Sequence, residues 1–239
     1  MSENQFGQHI SQQFNVELDG LRHRVLSMGG MVEQQIINAV RALTQGDSAL
    51  AESVIDNDHK VNATEVSIDE QCTQILARRQ PAASDLRLII AVIKTITDLE
   101  RIGDQAEKIA RIGMYLMEME RPKNDYIEIQ RLGEHVQAML RDGLDAFARL
   151  DAEAALAIAE KDEKIDLEYE GVMRQHVTFM MEDPRVIKRS LEVIWAIRAL
   201  ERIGDHVKNI GEYIIYLVKG KDVRHTSLDE MKETALGDS

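Results

Sequence analysis

One cysteine cannot form an internal disulfide, so Cys72 points to a reducing, cytoplasmic setting. With Ile68 and Ile75 as helical neighbours it reads as a small buried residue, not a reactive thiol. Three prolines and 4% aromatics, against abundant Leu, Ile, Val, Ala, Glu, Lys and Arg, suit long helices better than sheets. Long apolar runs are missing too. The densest, Leu88 to Ile93, is far too short to cross a bilayer, and the polar stretch Met1 to Gln13 has no signal-peptide core. Contact with a membrane is therefore expected only through partners. Basic residues are in deficit: 29 Lys and Arg against 42 Asp and Glu leave a formal net charge of −13. That balance repels phosphate backbones and argues against nucleic acid as a ligand. There is no Walker-type loop, serine nucleophile elbow, Cys/His zinc spacing or Glu-x-x-His, which counts against a nucleotide enzyme and a ferritin-like oxidase.

What is present is a duplication. Leu99 to Asp104 and Leu200 to Asp205 both read Leu-Glu-Arg-Ile-Gly-Asp. The likeness extends to a seven-residue ladder, Val54, Val61, Ile68 and Ile75, repeated as Ile158, Ile165, Val172 and Phe179, a seam for packing on a neighbouring helix. Ala42-Leu43 before Asp47 matches Ala146-Phe147 before Asp151. Breaks at Gly46-Asp47, Gln80 to Ser84, Arg121 to Asn124, Leu150-Asp151 and Glu182 to Pro184 divide the chain into six helices, three per half. The fold class expected is all-α: two tandem antiparallel three-helix bundles, residues 1–121 and 122–220, followed by a polar, frayed tail over 221–239. The third helix, Asp85 to about Met119, would span about 50 Å and be the most enclosed of its bundle. Gly29-Gly30 has no clear counterpart in the second half and reads as a point of close packing or a bend.

The repeated hexapeptide carries a carboxylate pair. A glutamate and an aspartate four positions apart share one helix face, about 5–6 Å between Cβ atoms, and their repulsion costs an isolated helix a few tenths of a kcal/mol. On the helical wheel Ile89, Ile93 and Ile96 run into Glu100, Asp104 and Glu107, as Ile194 and Ile197 run into Glu201 and Asp205. Partial burial sharpens the conflict, from roughly 0.7 kcal/mol in water to about 3 kcal/mol at an effective dielectric of 20. Arg101 beside Asp104 and Arg202 beside Asp205 offer local ion pairs but leave Glu100 and Glu201 unpaired. A hard cation is the alternative, held by further oxygens from the neighbouring helix: Asp58, Asn62, Glu65 or Asp69 in one half, Asp162, Asp166 or Glu170 in the other. His206 reads as an ordinary core or surface histidine. A binding scaffold, a metal-dependent helical-bundle enzyme and a purely structural bundle with surface ion pairs all remain open on these residues alone.

The run Ala77 to Arg87, the paired hexapeptides, Met28-Gly29-Gly30-Met31 and the segment Asp58 to Asn62 together resemble the PhoU family of regulators of the phosphate-specific transport system, across essentially the whole chain. The resemblance implies two tandem three-helix bundles in the cytoplasm, often as a homodimer, with no catalytic residues. It also implies negative regulation of the phosphate-starvation response, by linking the ATPase of the phosphate ABC transporter to a membrane sensor histidine kinase. The resemblance further implies metal binding, since some relatives hold Mg, Mn, Fe or Zn through the acids of the repeated motif. That role maps onto Glu100, Asp104, Glu201 and Asp205, with Asp58, Asp162 and Asp166 as additions. Asn62 stands where the other half has Asp166, and Met181 to Pro184 departs from Gln80 to Ala83, so unequal occupancy of the halves is expected.

Overall fold

The computed structural model describes the backbone of residues 3–79, 81–120 and 126–237 and the side chains from Phe14 onward. Among the described residues there are only helices: α1 (Glu3–Gln45), α2 (Ser48–Arg78), α3 (Ala83–Met117), α4 (Ile127–Arg149), α5 (Ala152–Glu182), a 3-10 turn (Pro184–Val186), α6 (Ile187–Lys219) and α7 (Leu228–Leu236). None is long and apolar enough to cross a membrane. The expected breaks fall where foreseen; Gln80 and Arg121 to Asn124, with the boundary between residues 121 and 122, lie outside the described residues.

The second helix of each half starts on the same device. Asp47 accepts a hydrogen bond from the Leu50 amide at 3.0 Å, and Asp151 from the Ala154 amide at 2.9 Å, satisfying donors that the first helical turn leaves open. The preceding helices end alike, with Asp47 N–H bonded to Ala42 C=O and Asp151 N–H to Ala146 C=O, both at 3.0 Å. That closure needs a left-handed residue, supplied by Gly46 (φ 71°) in one half and by Leu150 (φ 53°) in the other.

The ladder of the first half is buried throughout, at Val54, Val61, Ile68 and Ile75. In the second half Ile158, Ile165 and Val172 are buried but Phe179 is 37% exposed, so the seam ends one rung early. Phe179 instead meets the His176 ring edge-on.

The two halves share one apolar core, in which α1 packs on α4 and α3 on α6. Gly29 makes the first contact: a Cβ there would stand 2.3 Å from Leu144 Cδ2, and one on Gly133 would stand 2.8 Å from Val40 Cγ2. Gly29 and Gly133 are 104 positions apart, as are Val40 and Leu144, and Asp47 and Asp151. The expectation that Gly29 lacks a counterpart is thus corrected. Gly133 is its equivalent, and each glycine admits the other half's branched side chain across a pseudo-twofold axis. The match hides in sequence because the surrounding helices share little else. Charged contacts reinforce the same crossing: Arg141 pairs with Glu33 at 2.6 Å, and Arg22 donates to Ala148 C=O at 2.7 Å.

The frayed tail is also corrected. Ser227 and Glu230 form a reciprocal capping box that starts α7, and Val223, Met231 and Ala235 are buried, fixing the helix against α5 and α6. Ser-x-x-Glu ahead of an apolar pair was the readable signal.

Candidate functional site: two carboxylate patches

The glycine of each hexapeptide decides how near the neighbouring helix can come. A Cβ on Gly103 would lie 3.1 Å from Gln35 Oε1, 3.4 Å from Val61 and 3.5 Å from Asp58 Oδ1. On Gly204 it would lie 3.2 Å from Asp162 Oδ1 and 3.4 Å from Ile165. The small residue therefore lets α2 lean on α3, and α5 on α6, so that a buried aspartate from one helix faces the motif acids of the next. Asp58 and Asp162, read as secondary candidates, are in fact the buried members of the two patches, while Asp104, Asp205 and Asp166 are exposed at the rim and Glu100 and Glu201 lie between. Asp69 faces solvent, Glu170 is exposed and pairs with Arg174 at 3.4 Å, and Glu65 accepts from Thr97 at 3.4 Å, so these three stay at the periphery.

The electrostatics are those of crowded, partly dry carboxylates. Burial first, then the Glu107 charge, raises the Asp58 pKa; the Asn62 amide, donating to Asp58 Oδ2 at 3.1 Å, offsets part of this. Glu100 is raised by burial and by Asp104, Glu65 and Asp58. Asp104 is raised by burial, Asp58 and Glu107. In the second half Glu201, Asp205 and Asp166 are raised by burial and by their acidic neighbours. The local ion pairs expected from Arg101 to Asp104 and from Arg202 to Asp205 are not among those the described residues make. Arginine from one turn away serves other acids instead: Arg198 reaches Glu201 at 3.5 Å, and Arg111 reaches Glu107 at 2.6 Å.

Besides Asn62 opposite Asp166, a second position separates the patches, and sequence reasoning passed over it. Glu107 in the first copy is Lys208 in the second, both three residues past the hexapeptide. Lys208 Nζ donates to Asp162 Oδ2 at 2.9 Å. Burial acts to lower its pKa, but the hydrogen bond and charge of Asp162 outweigh that and the ammonium holds its proton. The signal was available in the aligned copies.

His206 is more than ordinary filler. Its Nδ1 meets buried Asp98 Oδ1 of α3 at 2.7 Å, and Asn209 Nδ2 donates to the same oxygen at 3.3 Å, so a polar clamp ties the halves together inside the α3/α6 contact. Cys72 is buried, and desolvation, then the charge of Asp69, pushes its thiol up to about 12, leaving it inert.

The donor chemistry suits a hard cation: the ligand candidates are carboxylates, and Asp58 Oδ1 and Asp162 Oδ1 are buried oxygens without a hydrogen-bond donor. The acids stand apart, however. Among the described residues no three His, Cys, Asp or Glu side chains are gathered at metal-holding distances.

Fold and site together define a class: a duplicated all-helical bundle with one carboxylate patch per half. The PhoU domain model matches twice, over residues 25–113 and 129–214. The chain belongs to the PhoU family. It is 55% identical over 225 residues to the phosphate-specific transport system accessory protein PhoU homolog of Pseudomonas aeruginosa, spanning 94% of this chain and 93% of that protein. To the phosphate-specific transport system accessory protein PhoU of Escherichia coli K12 it is 48% identical over 229 residues, spanning 96% and 95%. The crystal structure of PhoU from Pseudomonas aeruginosa matches with a TM-score of 0.84 at 53% identity, over 87% of this chain and 100% of that one. That of the phosphate transport system regulatory protein PhoU from Streptococcus pneumoniae matches at 0.82 with 33% identity, over 88% and 99%.

Proposed function

We propose that this chain is a non-enzymatic, cytoplasmic accessory protein of a phosphate-specific transport system that represses the phosphate-starvation response when phosphate is plentiful, linking the transporter ATPase to a sensor histidine kinase as a homodimer. The observation that carries the reading is the match, over nearly the full length of both partners, to proteins named as accessory to that system. Long packed helices present extended surfaces, which supports a docking role.

In this reading the two patches are cation sensors. The residues that would hold an ion are Asp58, Glu100 and Asp104 in the first half and Asp162, Asp166, Glu201 and Asp205 in the second, with Mg, Mn, Fe or Zn as candidates, and their side chains would have to close from separate positions to do so. A bound cation supplies positive charge that relieves the repulsion among those acids. The chain's own part is to keep Asp58 and Asp162 buried behind the motif glycines, so that a change in bound charge is felt at the helix contact. The test is deletion of the gene in cells grown on ample phosphate. Alkaline phosphatase should become constitutive and return to repression on complementation; an unchanged enzyme level would sink the proposal.

A further inference from the structure

The chain as a whole is strongly acidic, yet the outer face of the α3/α6 pair is not. The two helices lie antiparallel: Lys94 sits over Tyr213, Asp98 meets His206, and Lys108 sits over Trp195, an order that reverses along α6. The exposed charged positions between Arg101 and Arg111 of α3 are Arg101, Asp104, Lys108 and Arg111. Those between Ile187 and Asp205 of α6 are Lys188, Arg198, Arg202 and Asp205, so cations outnumber acids on this face of a chain whose net charge is −13. Arg111 and Arg198 also hold Glu107 and Glu201, but from the solvent side.

Beside those cations runs an apolar edge. Ile187, Leu191 and Trp195, at four-residue spacing, are 40%, 44% and 52% exposed. Among the described residues every cation over an aromatic ring lies along α3 or α6, including Lys108 over Trp195 at 5.5 Å, Lys188 over Tyr115 at 4.8 Å and Arg198 over Tyr169 at 5.6 Å. Such pairs hold long side chains upright before any partner arrives, which reduces what docking must order. Exposed Trp, Tyr and Arg are also the types that carry most of the energy at protein interfaces.

We propose that the α3/α6 face is a docking surface for an acidic amphipathic helix of a partner protein, its apolar edge on Ile187, Leu191 and Trp195 and its carboxylates on Lys108, Lys188 and Arg198. The furrow between two antiparallel helices accepts a third helix by its apolar residues at i, i+3 or i+4 spacing. A second copy of the chain would lay cations on cations. A broad anionic membrane would meet the repulsion of the whole acidic molecule, whereas a single segment feels mainly the local charges within a Debye length of about 8–10 Å.

The inference rests on the proposed function only in taking the transporter ATPase and the cytoplasmic region of the kinase as purified probes. Binding of each to the full chain is measured at low and high salt for the wild type, the double variant Lys108→Glu with Arg198→Glu, Trp195→Ala, and Lys164→Glu as an exposed control on α5. Circular dichroism melts verify that each variant is folded. One probe should bind in a salt-sensitive manner, lose about tenfold or more with the double variant and with Trp195→Ala, and bind Lys164→Glu normally. Hydrogen exchange of residues 187–202 should slow in the complex. Undiminished affinity in the variants overturns the proposal. So does absence of wild-type binding to both probes, or a loss that appears only with phosphatidylglycerol vesicles or in self-association. The failures separate: variants that restore repression to a deletion strain and bind fully remove the surface alone, while a deletion strain with no phenotype removes the function.

Discussion

The two halves are built on one plan and differ in how they handle charge. In the first, Asp58, Glu100, Asp104 and Glu107 face one another with only amides, such as Asn62, close to the buried aspartate. In the second, Lys208 takes the place of Glu107 and sits on Asp162 at 2.9 Å. The second patch carries a tethered ammonium on its buried aspartate, where the first has an amide. The two halves thus keep the same motif carboxylates and differ in what neutralises the buried aspartate.

The largest effect expected from disturbing this relation is at the crossing of the halves. Gly133→Ala must displace Val40, whose χ1 is stiff, and should lower stability by about 1–3 kcal/mol, read from the urea midpoint. Gly29→Ala, opposite the more adaptable Leu144, should cost less in the same assay. Equal costs would contradict the reading that branching at Val40 governs the contact.

Next come the patches. If the proposed cation role holds, Lys208→Gln should raise manganese affinity in the second half, and Glu107→Lys should lower it in the first, each by on the order of 1–2 kcal/mol in calorimetric titration. Glu100→Gln with Asp104→Asn should remove the first site while leaving the second. Identical response of both halves to the exchanged residues would erase the asymmetry.

A smaller effect is the pH dependence. Burial raises the Glu212 carboxyl from 4.5 to about 7, against the opposing charges of Lys208 and Arg224. The folded state then holds a proton that the unfolded chain releases, so this group's contribution to stability is full below about 4.5 and is lost as pH rises through about 7. The raised carboxylates of both patches act in the same direction. The melting temperature should fall between pH 5 and 8, and Glu212→Gln should flatten that slope; an unaltered slope would assign it to the patches alone. The smallest change expected is a gain. Leu150→Gly places at the left-handed position the residue the first half already has there, and should stabilise by about 1 kcal/mol in thermal melts.

Most of this architecture could be read from the chain itself, because helical periodicity and terminal punctuation are local properties. Asp47 and Asp151 announced their helices, and the heptad ladders announced a seam that is buried except at Phe179. The paired acids were legible because repetition singled them out. Contacts whose partners lie far apart in the chain were not. Leu144 against Gly29 and Asp98 against His206 depend on the placement of whole helices. Glu201, expected to be unpaired beside a pair of Arg202 with Asp205, takes Arg198 instead, which follows from which side of α6 is enclosed and which a helical wheel cannot state. The exchange of Glu107 for Lys208 required no coordinates, only comparison of the copies beyond their identical letters.

The reciprocal seating of Val40 and Leu144 in opposite glycines bears on ancestry. A single three-helix unit with a Gly29-like notch and a Val40-like knob is self-complementary: two copies would lock notch to knob twice, closing an isologous pair with no free end. Joining two such units in one chain keeps the lock while leaving each half free to differ elsewhere, as at Glu107 and Lys208.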